Sequence, residues 1–141
     1  MRTSENRPVA APAKRGWTAA TTVGAVFICC CIFYVSSIPG SGLPSGLGWR
    51  TTAAHFVEYA CLGVAVALSL RNGKRGFWTV VLVSMLLCSI YGASDEFHQW
   101  FVPGRNTDVL DWLTDTIGAF VGSLIATKVA CRDGENRLWN A

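Results

Sequence analysis

Acidic residues and histidines fall in three short stretches of an otherwise apolar sequence. These stretches contain His55 and Glu58; Asp95, Glu96 and His98; and Asp108, Asp111 and Asp115. Carboxylates combined with imidazoles can bind a divalent metal ion, or act as general acid and base in catalysis. Whether they do so depends on the elements that carry them and on whether those elements bring them together.

Helical spacing places the members of each stretch on one face. In an α-helix, residues three or four positions apart are neighbours. The three predicted faces carry His55, Glu58 and Tyr59; Tyr91, Asp95, His98 and Gln99; and Asp108, Asp111, Asp115, Gly118 and Gly122. Because the two glycines form a small-residue seam that allows another helix to approach closely, we expect the aspartate face to pack inward.

The composition is that of an integral membrane protein. Of 141 residues, 51% are hydrophobic and 15% are charged, against about 25% charged in a typical soluble domain. From Trp17 to Ile38 the chain has no charged residue and no histidine, and such a run can cross a hydrocarbon core of about 30 Å. These features exclude a soluble globule and an intrinsically disordered chain.

The sequence predicts four spanning segments, and these should be helices because backbone polar groups in lipid must be hydrogen-bonded within their own segment. The predicted helices cover about residues 17–38, 51–70, 76–99 and 108–129. A proline- and glycine-rich stretch follows the first helix, a charged turn follows the second, and Pro103 with Gly104 ends the third. The predicted fold class is therefore all-α, a four-helix transmembrane bundle over residues 17–130 with tails at 1–16 and 131–141.

The basic residues predict the orientation of this bundle. Of the 12 Lys and Arg residues, all but Arg50 and Arg105 lie in the two tails, at the ends of the first and last helices, or in the second connection. The positive-inside rule then places both termini in the cytoplasm. A cleaved signal peptide is the alternative for the first helix, but the apolar core of such a peptide usually has only about 7–15 residues. In this orientation all three polar stretches converge at the outer face.

The outer face is crowded with negative charge. Six carboxylates there face two arginines and two histidines, and such crowding can recruit a cation. The candidate metal ligands are His55, Glu58, Asp95, His98 and Asp111. A purely structural interpretation stays open, in which Asp108 caps a helix, Asp95 and Glu96 sit in water, and Glu58 bonds to His55 or Arg105.

Other kinds of chemistry lack their sequence motifs. Basic residues are not interleaved with aromatic ones on a polar face, which argues against nucleic-acid binding. The six cysteines form no C-x-x-C pair, so we interpret them as small hydrophobic residues. There is no HExxH motif and no Gly-rich phosphate loop.

Longer motifs in the sequence resemble those of a known family. The run from Tyr91 to Arg105, YGASDEFHQWFVPGR, followed by Asp108 and Asp111, resembles the signature of VanZ-like membrane proteins, as does the upstream His55-Phe-x-Glu58-Tyr59. The resemblance covers about residues 51–129 and implies a bacterial, four-helix protein of the plasma membrane. The implied site residues are His55, Glu58, Asp95, Glu96, Gln99, Arg105 and Asp111. Thr51 and Thr52 stand where relatives often have an Asp-Lys pair, and Arg50 beside them is the nearest positive charge.

The family is named for a protein that gives low-level resistance to the glycopeptide teicoplanin. The resemblance therefore implies action at the outer leaflet on cell-envelope material or on envelope-directed antibiotics. We expect a non-catalytic binder whose partners are membrane lipid and a lipid-linked envelope precursor or glycopeptide, with Arg105 and Asn106 engaging a lipid headgroup or a peptide moiety. The predicted binding residues are His55, Glu58, Gln99, Arg105, Asp111 and Asp115.

Two alternatives remain open for the same residues. One is a metal-dependent intramembrane hydrolase of a lipid-linked substrate, with a divalent cation as cofactor and Asp95, Glu96 and His98 as candidate catalytic residues. The other is a cation- or proton-linked carrier, because ionisable residues within a membrane also mark ion pathways.

Overall fold

The structure, a computed structural model, consists of four α-helices and short connections. It describes the backbone of residues 15–42, 48–71 and 75–139, and the side chains of 19–42, 52–71 and 75–132. The helices are α1 (Arg15–Ser36), α2 (Gly48–Leu70), α3 (Phe77–Gln99) and α4 (Val109–Trp139), with a 3-10 turn at Gly40–Gly42. No strand occurs in these ranges, so the all-α, four-helix prediction is confirmed. Most of the predicted N-terminal tail and the side chain of Arg50 lie outside the described residues.

Every helix contains a stretch that is long and apolar enough to cross a membrane. These stretches are Ala19–Ser36, Thr52–Leu70, Phe77–Gln99 and Val109–Arg132. Large apolar side chains remain exposed on the outside of the bundle, among them Phe27, Leu86 and Ile117. In water this surface would be unfavourable, whereas acyl chains solvate it. The protein is therefore a multi-pass membrane protein.

The last helix is longer than its sequence predicts. The prediction ended it near Val129, but α4 continues through charged residues to Trp139. Two physical features explain the difference. No proline follows Val129 to stop the helix, and the single Gly134 costs only about 1 kcal/mol relative to alanine inside a helix.

Small residues let α2 and α4 pack with their backbones in contact. A Cβ atom added to Gly122 would lie 2.0 Å from the carbonyl oxygen of Ala60, and one added to Gly118 would lie 2.5 Å from that of Phe56. On the facing helix, a Cβ on Gly63 would lie 2.4 Å from the carbonyl oxygen of Ala119. The predicted glycine seam thus packs within one chain, and it fixes the distance between the two helices that carry His55 and Asp115.

The two loops at the site end of the bundle are joined to each other. The backbone N–H of Gly40 donates to the carbonyl oxygen of Pro103 at 3.0 Å. Gly104 has a φ of +73°, which glycine adopts without steric cost. Arg105 then donates from Nε to the carbonyl oxygen of Ile38 at 3.1 Å and from Nη2 to that of Val35 at 2.6 Å. These bonds hold the C-terminal ends of α1 and α3 at the same level.

Candidate functional site

Polar side chains from all four helices meet at one end of the bundle, where α1 and α3 end and α2 and α4 begin. We call this group the polar end. Its members are Ser36, His55, Glu58, Tyr59, Asp95, Glu96, Gln99, Asp111 and Asp115. Each helix contributes at least one member. Because successive helices run in opposite directions, the ends of α1 and α3 meet the beginnings of α2 and α4, and the group is assembled there.

An imidazole–carboxylate pair lies at the centre of the polar end. Nδ1 of His55 is 3.0 Å from Oδ1 of Asp115. The Asp115 side chain is 0% exposed and that of His55 is 13% exposed. The second carboxylate oxygen of Asp115 has no hydrogen-bond partner among the described residues. A Cβ on Gly92 would lie 3.3 Å from that oxygen. A glycine at position 92 therefore makes room for the carboxylate.

Glu96 completes a group of three potential ligands. Its Oε2 accepts a hydrogen bond from the backbone N–H of Asp108 at 3.0 Å, whereas its buried Oε1 has no partner within the described part of the chain. One ligand atom from each of His55, Glu96 and Asp115 can be chosen so that all three lie within 4.8 Å of one another. One imidazole and two carboxylates at this distance can hold a divalent cation, or relay a proton to a bound molecule.

Tyr59 adds a further buried polar atom beside this group. Its side chain is 0% exposed, and its hydroxyl has no hydrogen-bond partner among the residues described. Its ring edge would lie 3.3 Å from a Cβ on Gly92, the same position that faces Asp115. The ring centroid of Tyr91 is 6.2 Å away, and the Tyr91 hydroxyl, in contrast, donates to the carbonyl oxygen of Cys29 at 2.7 Å.

Asp95 lies in a separate buried network that joins α1 to α3. Its oxygens accept hydrogen bonds from Ser36 Oγ at 2.6 and 2.7 Å and from Gln99 Nε2 at 3.0 Å. All three side chains are buried. The expectation that Asp95 sits in water is therefore wrong. No sequence motif identifies Ser36, whose only signal is a hydroxyl at the end of an apolar helix.

His98 does not join His55. Its Nε2 is 3.0 Å from Ser37 Oγ, and its ring stacks on that of Phe33 with centroids 4.5 Å apart. Glu96 and His98 are two positions apart on α3, which turns about 100° per residue, so the two side chains point in different directions. The ligand group seen in the structure shares only His55 with the predicted metal set, and Glu96 and Asp115 replace the other members.

The remaining predicted residues surround the group without joining it. Glu58 is half-buried, and its charge interacts with those of His55, Asp95, Asp115 and Arg105. Asp111 interacts electrostatically with His55 and Asp115. Asp108 caps α4, because its Oδ1 accepts the backbone N–H of Leu110 at 2.8 Å. The structural interpretation of Asp108 is therefore correct.

A cleft opens beside Glu96 on the surface of the bundle. It has a volume of about 230 Å³ and is lined by Ala93, Glu96, Thr107, Asp108, Val109 and Trp112. The indole N–H of Trp112 donates to the carbonyl oxygen of Ser89 at 3.0 Å, which fixes the ring in the cleft wall. Glu96 belongs both to this cleft and to the group with His55 and Asp115. It is therefore the side chain through which a molecule in the cleft would reach the buried pair.

Comparison with known proteins identifies the family. The model of the VanZ/LLP1 family matches residues 50–130, which is more than half of the chain and includes every member of the polar end except Ser36. No curated protein and no solved structure matches the chain. The chain belongs to the VanZ/LLP1 family.

Proposed function

We propose that this VanZ-like membrane protein acts at the outer leaflet on cell-envelope material or on an envelope-directed glycopeptide, which it binds at the polar end without changing it chemically. The observation that carries the proposal is the cleft beside Glu96. This cleft combines carboxylates with an aromatic wall at the end of a membrane-spanning bundle.

The lining of the cleft fits the polar part of an amphiphile. Glu96 and Asp108 supply carboxylate oxygens, which accept hydrogen bonds from hydroxyl or amine groups. Val109 is 68% exposed on the cleft rim, where an acyl chain or an apolar ring could lie against it. A volume of about 230 Å³ accommodates one headgroup, or one unit of a glycopeptide whose remainder lies outside the cleft, because sites that enclose a drug-sized ligand usually measure about 300–1,000 Å³.

Arg105 is not a headgroup ligand in this proposal, in contrast to the expectation from the sequence. Two of its donor groups are bonded to the carbonyl oxygens of Val35 and Ile38. Those bonds cap the C-terminal end of α1, where the carbonyl oxygen of Val35 also accepts the backbone N–H of Ile38 at 3.2 Å. The headgroup is therefore held by the acidic cleft, and Arg105 keeps the loops in position.

The orientation of the bundle is a premise of the proposal and can be tested separately. The distribution of Lys and Arg favours cytoplasmic termini and an outward-facing polar end. A fluorescent protein fused to the C-terminus should fluoresce, whereas alkaline phosphatase fused there should be inactive. The opposite pattern would place the cleft in the cytoplasm and remove the outer-leaflet function.

Filling the cleft tests binding without altering any charge. Ala93 lines the cleft, and an Ala93→Leu substitution should lower the amount of co-purified envelope lipid, measured by mass spectrometry, at least tenfold. The same variant should lose any teicoplanin resistance that the wild-type protein confers on a susceptible host. Ala53→Leu is the matched control, because Ala53 is an exposed alanine of α2 that is not among the cleft residues. Equal lipid recovery and equal resistance in both variants would contradict the proposal.

A metal-dependent intramembrane hydrolase is the second candidate function. It is favoured by the position of His55 and Asp115 directly behind Glu96, where a bound cation could activate water toward a lipid-linked substrate. Purified protein with added Zn²⁺ or Mn²⁺ should then release the headgroup of an envelope lipid, and Glu96→Gln should abolish release while the protein stays folded. Absence of turnover with either metal would leave binding as the function.

A further inference from the structure

The geometry points to a divalent-cation site formed by His55, Glu96 and Asp115, one residue from each of α2, α3 and α4. This inference does not rest on the function proposed above, since a cation at this place could serve binding or hydrolysis alike. It replaces the metal set expected from the sequence, of which only His55 belongs to the site.

The distances suit a single ion. Two ligand atoms that each lie about 2.1 Å from one ion are about 3.0–3.4 Å apart when the angle between them is 90–110°. Nδ1 of His55 and Oδ1 of Asp115 are 3.0 Å apart. The longest separation in the group is at most 4.8 Å, and opposite ligands on one ion are about 4.2 Å apart. A bound cation therefore needs only a small inward movement of these side chains.

Unpaired buried atoms provide the second, independent observation. Asp115 is fully buried and its Oδ2 has no hydrogen-bond partner within the described chain, and the same is true of the hydroxyl of Tyr59. Buried polar groups are nearly always hydrogen-bonded, so each exception calls for an explanation such as an ion or a water. Both side chains lie against Gly92, one helical turn before Glu96, whose buried Oε1 is also unpaired. Two of the three potential ligand residues thus carry an unpaired buried oxygen, and the ring of Tyr59, with its own unpaired hydroxyl, lies against the same glycine as Asp115.

The surrounding charge favours a cation in this region. Glu58, Asp95 and Asp111 all interact electrostatically with Asp115 or His55. Carboxylates buried in a low-dielectric environment are unfavourable unless they are paired or coordinate a metal. A divalent ion would offset much of this negative charge.

The ligand types indicate which ion to expect. One imidazole nitrogen with two carboxylate oxygens suits Zn²⁺ and Mn²⁺, whereas Mg²⁺ prefers oxygen ligands and retains several waters. Three protein ligands leave at least one coordination position for water or for an atom of a bound molecule. Because Glu96 also lines the cleft, that position lies within reach of the cleft.

Metal titration of the full-length protein in detergent, without added envelope lipid, tests the inference. The protein is stripped with EDTA and titrated with Zn²⁺ by calorimetry and with Mn²⁺ by electron paramagnetic resonance. We expect one equivalent of at least one metal per chain, and at least a tenfold loss of affinity in His55→Gln and Asp115→Asn. His98→Gln is the matched control, since His98 lies against Phe33 and Ser37, and it should bind metal like the wild type.

Folding of each variant is checked by circular dichroism and gel filtration. If the His55 or Asp115 variant does not fold, Glu96→Gln is tested in its place, because Glu96 is only partly buried and the substitution conserves its size. His55→Cys should shift the preference from Mn²⁺ toward Cd²⁺, an effect that a purely structural histidine would not produce. Binding of neither metal at 1 mM, or equal binding by the wild type and all variants, would overturn the inference. His55 and Asp115 would then form a buried ion pair and not a metal site. A wild-type protein that binds the metal but no envelope lipid would overturn the proposed function and leave this site standing.

Discussion

The hydroxyl of Ser36 lies 2.6 and 2.7 Å from the two carboxylate oxygens of Asp95, and this contact joins the last turn of α1 to α3 across 59 residues of sequence. Both side chains are buried, and Gln99 supplies the other side-chain donor at 3.0 Å. Hydrogen bonds to a carboxylate are roughly twice as strong as those between neutral groups. The pair therefore ties α1 to α3 beside the candidate site.

Removing the Ser36 hydroxyl should weaken the fold. Ser36→Ala leaves a buried carboxylate with one side-chain donor fewer, and we expect the free energy of unfolding to fall by about 1–3 kcal/mol. Thermal unfolding in detergent measures the change. Ser94→Ala is the control, because Ser94 is exposed and donates only within its own helix, to the carbonyl oxygen of Tyr91. Equal melting temperatures for the two variants would mean that the Ser36–Asp95 contact contributes nothing to stability.

Alanine should have opposite effects at two glycines, one in the close contact between α2 and α4 and one on the open surface of α1. At Gly122 the new Cβ would lie 2.0 Å from the carbonyl oxygen of Ala60, so Gly122→Ala must push the helices apart and should cost about 1–3 kcal/mol. At Gly24 nothing lies within 4 Å, so Gly24→Ala should stabilise α1 by roughly 0.5–1 kcal/mol. Both values come from unfolding in the same detergent. Tolerance of alanine at Gly122 would contradict the close packing described here.

The sequence predicted the fold well because each spanning helix has a signal of its own. The apolar run between Trp17 and Ile38, the break at Pro103-Gly104 and the glycine seam at Gly118 and Gly122 are local patterns, and a lipid environment leaves helices as the favoured structure for such runs. The largest difference is the end of α4, since helix propensity alone gives no sharp stop after Val129; the other ends differ by three residues or fewer.

The site was harder to predict because it depends on how the helices are rotated against one another. Spacing showed that Asp95, His98 and Gln99 share a face of α3, but not which part of that face meets Asp115. The structure turns Glu96 toward His55 and leaves His98 beside Ser37 and Phe33. Ser36 could not be identified, since its partner Asp95 is far away in sequence.

Arg105 should prove to be a structural residue. Its bonds to the carbonyl oxygens of Val35 and Ile38 predict that Arg105→Ala lowers the free energy of unfolding by about 1–3 kcal/mol. Arg105→Lys should restore little, because lysine lacks the planar fork that reaches two acceptors at once. Lipid recovery per folded molecule should stay at the wild-type level in both variants. A stable Arg105→Ala protein without bound lipid would instead assign Arg105 to the headgroup.

Two neighbouring tyrosines should respond differently to loss of their hydroxyls. Tyr59 is fully buried and its hydroxyl is unpaired among the described residues, so in metal-free protein Tyr59→Phe should leave stability unchanged or raise it by about 1 kcal/mol. Tyr91 donates to the carbonyl oxygen of Cys29 at 2.7 Å, so Tyr91→Phe should cost about 1 kcal/mol. Unfolding of both variants after EDTA treatment makes the comparison. A loss in Tyr59→Phe as large as that in Tyr91→Phe would show that the Tyr59 hydroxyl is paired even without a cation, and would weaken the argument that the unpaired oxygens around Gly92 mark an ion site.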